Sequence, residues 1–344
     1  MSYRSRFATT VSLVILALFL GVLGLSNRVS AHDASIEVHK AALQQVIDEA
    51  FNLGDLSIID ELYADDYVNH GFGDDLDREQ FKAAVSMWRS VMPDFTATPE
   101  VLIAQDDIAA TRLIYRGTFL NTWTMGDLTI EPNGQPVEWP LIILYRFNEE
   151  GKIVEEFTAF DQIDLLTQLD TAPVPDFIAS ALNLRESVVA EMSDPLPEVD
   201  EATLEAHIAA FTAAIEQGIN EGDISMFDTV MVEDYRTHEP FGDFTREEFA
   251  QAIQGFRNAV PDLHVTIDLI IAEGDWLATR LIYEGTLTNP ISAGDITVDQ
   301  VGSEIRFIVN VLEHFSEDGL ALEDYKEYNR LSWLRQVGLL PAAS

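Results

Sequence analysis

Ala110-Thr111-Arg112-Leu113-Ile114-Tyr115 recurs without a change, 168 residues later, as Ala278-Thr279-Arg280-Leu281-Ile282-Tyr283. Working outward at the same offset, the register holds with no gap. Asn52-Leu53-Gly54-Asp55 meets Asn220-Glu221-Gly222-Asp223, Asp66-Tyr67 meets Asp234-Tyr235, and His70 meets His238. Arg78-Glu79 with Phe81 meets Arg246-Glu247 with Phe249, and Pro93-Asp94 meets Pro261-Asp262. From Asn52 to Thr118 there are 28 identities in 67 positions, which only a duplication explains. The period is too long for a solenoid. It is that of a whole domain occurring twice, as a length of 344 residues also suggests.

Each copy reads helices first and strands afterwards. Leu43, Val46, Ile47, Ala50 and Phe51 fall at helical spacing, and Asn52-Leu53-Gly54 is a stop signal. A short helix and an extended piece ending at His70 follow. Asp77 with Gln80, and Thr245 with Glu248, have capping-box spacing, so a helix starts at each and the first stops before Pro93. Thr96–Ala104, Ile108–Thr118, Val137–Phe147 and Lys152–Phe160 are rich in β-branched and aromatic residues between turn signals. The class is therefore α+β, with helices covering one face of a curved antiparallel sheet and a cone-shaped hollow between them. The expected divisions are 36–170 and 201–340, with 171–200 a proline-flanked linker holding one helix over Phe177–Met192.

Composition limits the partners. There are 59 Asp+Glu against 20 Lys+Arg, a net charge of -39, and no cysteine. Nucleic acid and anionic lipid are disfavoured, and disulfides, thiolate nucleophiles and Cys-ligated metals are excluded. Arg4 and Arg6 precede the apolar run Val11–Leu25 and the small residues of Val29-Ser30-Ala31, the order of a secretory signal over 1–31. The expected location is secreted or periplasmic, with no stable membrane insertion once the leader is cleaved; an uncleaved N-terminal anchor is the rival. Neither phosphate loops nor nucleophile elbows occur, and no histidine pair has ligand spacing, so no metal and no cofactor is expected.

The order Asn52-Leu53-Gly54-Asp55, Asp66-Tyr67-Val68-Asn69-His70, Met92-Pro93-Asp94-Phe95, Arg112…Gly117-Thr118 and Gly151-Lys152-Ile153-Val154-Glu155…Asp161…Gln168-Leu169 resembles the SnoaL-like polyketide cyclase (ester cyclase) family. The match spans nearly all of copy one and, more weakly toward its end, copy two. It implies two tandem cone-shaped α+β barrels of the NTF2-like group. It further implies a lyase or isomerase without cofactor, acting on a small hydrophobic, polyketide-like carbonyl compound. In those cyclases an aspartate near the end of the last strand is the acid/base of an intramolecular aldol closure, and Asp161 matches it.

Desolvation in an apolar hollow makes such a carboxylate a usable base; alternatively, Asp161 caps the helix that follows it. His70, repeated as His238, either polarises a carbonyl or fixes the helix–strand junction. Arg112 and Arg280, lone cations in apolar strands, either bind an oxygen-bearing ligand or pair with a carboxylate such as Glu155 or Glu156. Trp88, Tyr115, Phe119 and Trp139 line the cavity or pack the core. Two departures stand out. The cyclases' histidine after Gly-Thr is Phe119 here and Leu287 in copy two, and Asn329 replaces Asp161 in copy two. Two functions therefore stay open, an Asp161/His70 acid–base enzyme or a non-catalytic small-molecule-binding module with a degenerate second domain. The copies are expected to form a pseudo-dimer through Leu113, Tyr115, Leu141 and Ile143 and their counterparts, with a homo-oligomer left open.

Overall fold

The amphipathic run that opens each copy is helical, for the reason its spacing gave: one stripe of it is buried. In a computed structural model that describes residues 31–71, 73–125, 128–171, 190, 195–293, 296–299 and 301–340, α1 spans Ala31–Gln45 and widens into a π-helix over Val46–Leu53. Val46, Ile47, Ala50 and Phe51 are buried, and Gly54 ends the turn at φ +80°. A side chain there would be strained, and its Cβ would lie 2.6 Å from Arg89 Nε. Arg89 occupies that space to donate to the Phe51 and Asn52 carbonyls left open by the helix end.

The first copy continues through α2 (Ser57–Leu62), β1 (Tyr63–His70), β2 (Leu76–Asp77), α3 (Arg78–Val91), β3 (Thr96–Gln105) and β4 (Ile108–Thr118). A short hairpin, β5 (Trp123–Met125) with β6 (Leu128–Ile130), precedes β7 (Pro136–Phe147), β8 (Ile153–Ala159) and α4 (Gln162–Gln168). Both capping boxes form as their spacing predicts. The sheet order is β2-β1-β8-β7-β4-β3. It is not wholly antiparallel, because β8 returns beside β1 in the same direction.

The second copy repeats this layout. After α5 (Glu201–Ala213), a π-helix (Ala214–Asn220) and α6 (Phe227–Val230) come β9 (Met231–Glu239), β10 (Gly242–Thr245) and α7 (Arg246–Ala259). Then follow β11 (His264–Glu273), β12 (Trp276–Thr286), β13 (Ile291–Ala293), β14 (Ile296–Val298), β15 (Glu304–Phe315), β16 (Ala321–Glu327) and α8 (Arg330–Gln336). The leader, apart from Ala31, and the linker helix, apart from Ala190, lie outside the described residues. No helix among the described residues is long and apolar enough to cross a membrane.

Several repeated motifs prove to be scaffold. Asp94 accepts hydrogen bonds from Thr118 N and Oγ1, both at 2.7 Å, and Asp262 does the same for Thr286. These bonds hold both carboxyls below the usual carboxylate range. Gly117 lets this lock close, since a Cβ there would meet Met92 at 2.9 Å.

The two sheets pack face to face, but not through the expected residues. Successive side chains of a strand point to opposite faces. On β4, Ala109, Leu113 and Tyr115 enter the first copy's own core, while Ile108 and Ala110 face the second copy. Leu141 and Ile143 likewise belong to the interior. The pairing surface is the other parity: Val101, Ile103, Ile142 and Leu144 against Ile271, Trp276, Ala278, Leu312 and Tyr325. Polar ties frame it, with Ala104 N donating to Glu273 and Ala272 N to Gln105. Asn310 Nδ2 donates to the carbonyls of Ile142 and Phe157, both at 2.8 Å. Leu312 is fully buried in this seam, so Leu312→Ala is expected to cost about 2–5 kcal/mol in urea unfolding; an unshifted midpoint would mean the faces do not pack.

Candidate functional site

Strand parity also sorts the residues of chemical interest. On β1, Tyr67 points into the first cone, as its place in that core shows, and Asn69, two residues on, is fully buried on the same face. His70 therefore points away from the cone. Its ring stacks on Phe157 at 5.1 Å, Nδ1 meets Asp75 at 2.8 Å, and Nε2 lies 3.7 Å from Glu155. His238 repeats the arrangement with Tyr325, Asp243 and Glu323. Burial pushes the His238 imidazole down, but bonding to Glu323 and Asp243 outweighs it and raises the pKa. Both histidines stand at the border of the interface.

Asp161 follows β8 and caps α4, its carboxylate accepting from Ile163 N and Asp164 N. It is also claimed by the other copy. Arg330 Nε donates to Asp161 Oδ2 at 2.7 Å and Arg330 N to Oδ1 at 3.1 Å, with both side chains buried. Asn329 caps α8 in the same way, which is why an amide suffices there. No hydrogen bond or ion pair among the described residues joins Asp161 to His70.

The strand arginines lie in the seam as well. Arg112 pairs with Glu100, not with Glu155 or Glu156, and its guanidinium lies 4.7 Å from the Tyr325 ring centre. Arg280 pairs with Asp268 and lies 4.7 Å over Phe157. Tyr325 and Phe157 occupy equivalent positions, so each copy lays its arginine on the other's aromatic ring. A cation desolvated against a ring in this way is attracted to its face.

Trp88, Tyr115, Phe119 and Trp139 do enter the first cone, and all are buried. Their rings touch: Trp88–Trp139 at 5.2 Å, Tyr115–Trp139 at 5.5 Å and Trp88–Trp123 at 5.0 Å. Among them lies the group that the motifs did not single out. Glu156 on β8 is 1% exposed and accepts a hydrogen bond from Tyr67 Oη. Burial raises its carboxyl to about 7, against the lowering effect of Tyr67 and Asn69. Its field reaches Tyr63, Tyr115 and Tyr145, which burial already pushes well above the usual phenol range. Two buried polar atoms nearby have no hydrogen-bond partner among the described residues, the Tyr63 hydroxyl and Asn69 Oδ1. The available signal was alternation: with Tyr67 and Asn69 inward, the paired Glu156 must be inward too.

The second cone keeps the position and changes the chemistry. Asp324 stands where Glu156 does, but Lys326 Nζ pairs with it at 3.0 Å. Among the described residues, no group of three His, Asp or Glu side chains is placed to hold a metal ion.

A family model described as SnoaL-like polyketide cyclase matches residues 41–169 and 209–337. Among solved structures, the chain is similar to AclR from Streptomyces galilaeus, a proposed hydroxylase, at 25% identity over 40% of this chain and 99% of that one, with a TM-score of 0.36. It is also similar to IdmH from Streptomyces antibioticus, a proposed polyketide cyclase, at 32% identity over 38% and 98%, with a TM-score of 0.34. No curated protein matches. Removing one partner of the buried cross-copy ion pair strands the other. Arg330→Met is therefore expected to cost about 3–5 kcal/mol in urea unfolding, and Asp161→Asn in the same chain should restore most of it, because Asn preserves the cap.

Proposed function

The chain belongs to the SnoaL-like polyketide cyclase family, and from that premise we propose that it carries out cyclase- or isomerase-type proton transfer on a small hydrophobic carbonyl compound. The reaction takes place in the first cone. The observation that carries this reading is Glu156: a fully buried carboxyl, tuned to about 7, among aromatic side chains. A base with that affinity removes a proton beside a carbonyl without binding it too tightly to return it. The C–H proton passes to Glu156, the electron pair moves to the carbonyl oxygen, and the unpartnered Tyr63 hydroxyl donates to the resulting enolate. Tyr67 holds the carboxylate in place through its hydrogen bond. Asp161 acts in this reading as a positioning residue, since it ties the end of β8 to Arg330, and His70 secures the sheet border.

A non-catalytic binding module is the second reading, and Phe119 favours it, because it stands where the cyclases carry a histidine and so removes a polar group from the first cone. Deuterium exchange beside the carbonyl of small hydrophobic ketones separates the two. The enzyme reading expects exchange that falls about 10²–10⁴-fold in Glu156→Gln. Ligand binding without exchange in the wild type supports the module and ends the catalytic claim.

Glu156 also predicts a pH dependence of stability. Its carboxyl is protonated up to about 7 when folded, against an ordinary value of 4.5. Between those values the unfolded chain loses the proton first, so stability falls as pH rises. Across that window the wild type should lose about 3 kcal/mol relative to Glu156→Gln, measured by urea unfolding at each pH.

Export is part of the proposal, on the strength of Arg4, Arg6, the Val11–Leu25 run and Val29-Ser30-Ala31. N-terminal sequencing of protein recovered outside the cytoplasm should begin at His32. Full-length chain confined to the membrane pellet would favour the anchored form.

A further inference from the structure

Three buried interior positions differ in charge between the two copies. Tyr145, Glu156 and Thr158 of the first cone are Glu313, Asp324 and Lys326 in the second. A neutral phenol, one acid and a hydroxyl became two acids and an amine, all three buried. Removing charged groups from water is expensive, and the first copy shows that the scaffold does not require them. Lys326 is moreover one of only four lysines in the chain.

The trio is held together. Lys326 Nζ lies 3.0 Å from Asp324 Oδ2 and donates to Thr237 Oγ1 at 2.9 Å. It sits 4.0 Å above the Phe249 ring centre, on the inner face of the cone. Glu313 and Asp324 are direct neighbours across the β15–β16 ladder. The approach differs from that of the first cone too. Trp88, Trp139 and Leu165 are buried there, whereas their counterparts Phe256, Phe307 and Trp333 are partly exposed. Phe307 stacks on Tyr283 at 4.9 Å and meets Phe256 at 6.2 Å, so partly exposed aromatic rings pack against this interior.

We propose that Lys326 is the nucleophile of a second site, which captures a small hydrophobic aldehyde or ketone as an imine. Asp324 takes a proton from the ammonium, and the freed amine adds to the carbonyl carbon. A carbon–nitrogen bond forms, the carbonyl electron pair moves to oxygen, and a proton passes from the nitrogen to that oxygen, giving the hydroxyl of a carbinolamine. Burial and the neighbouring Asp324 hold the Glu313 carboxyl well above the usual carboxylate range, so it is a proton donor. It protonates the hydroxyl, the carbon–oxygen bond breaks, and water leaves. Asp324 then returns its proton to Glu313. The net change is ammonium plus carbonyl giving iminium plus water, with no oxidant or reductant. The site is independent of Glu156.

The test is reductive trapping on the full mature chain, with benzaldehyde and sodium cyanoborohydride followed by peptide mapping. The expected result is a benzyl group on Lys326 before Lys40, Lys82 or Lys152, and its loss in Lys326→Arg, which keeps the positive charge. Glu156→Gln should label like the wild type, so this site and the first cone fail separately. Lys326 reacting last of the four, as a closed internal ion pair would, overturns the proposal.

Discussion

A β-strand sends its side chains alternately to two faces, and in this chain both faces of both sheets are covered. One face closes over its own helices; the other closes over the second copy. Every inward or outward assignment is thereby fixed, since a shift of one residue would exchange the two sets. The consequences run through all the chemistry. Asn69 enters a cone and His70 leaves it; Glu156 is inside and Glu155 pairs with Arg146 outside. Leu113 is core, and Arg112 is seam.

Fusing the copies changes what the seam can tolerate. Association within one chain avoids the loss of translational freedom that two separate partners would bear. The interface can then hold groups that do little for net stability. Arg112 with Glu100, Arg280 with Asp268 and Arg330 with Asp161 all place charge in or beside a buried contact. Such pairs roughly balance their desolvation, but they fix register strongly because any slip leaves a charge alone. The mutual stacking of Arg112 on Tyr325 and Arg280 on Phe157 gives the seam its internal symmetry.

The cones have diverged where the scaffold has not. The Asp94–Thr118 and Asp262–Thr286 locks, the Arg89 and Arg257 helix closures and both capping boxes recur in matching places. The interiors share Tyr67 with Tyr235 and Tyr115 with Tyr283, and then part. One holds Glu156 among close-packed aromatic rings. The other holds an internal ion pair, a second acid and partly exposed aromatic rings. The frames of the two copies agree, and their hollows differ in charge and in ring packing.

The sequence by itself determined the duplication, the helix-then-strand order, the helix caps and the family, because each is written in local spacing: capping residues three apart, apolar residues at helical period, identities at one constant offset. It also singled out His70, Arg112 and Asp161, through their recurrence or motif. Only the tertiary structure placed their contacts. Asp161 reads as a cavity base until Arg330, 169 residues away, is seen to hold it. Glu156 reads as one of two adjacent acids until the pleat places it alone inside. Solvent exposure and charge partners are set by which elements meet across the fold, and chain-local patterns do not encode those distances.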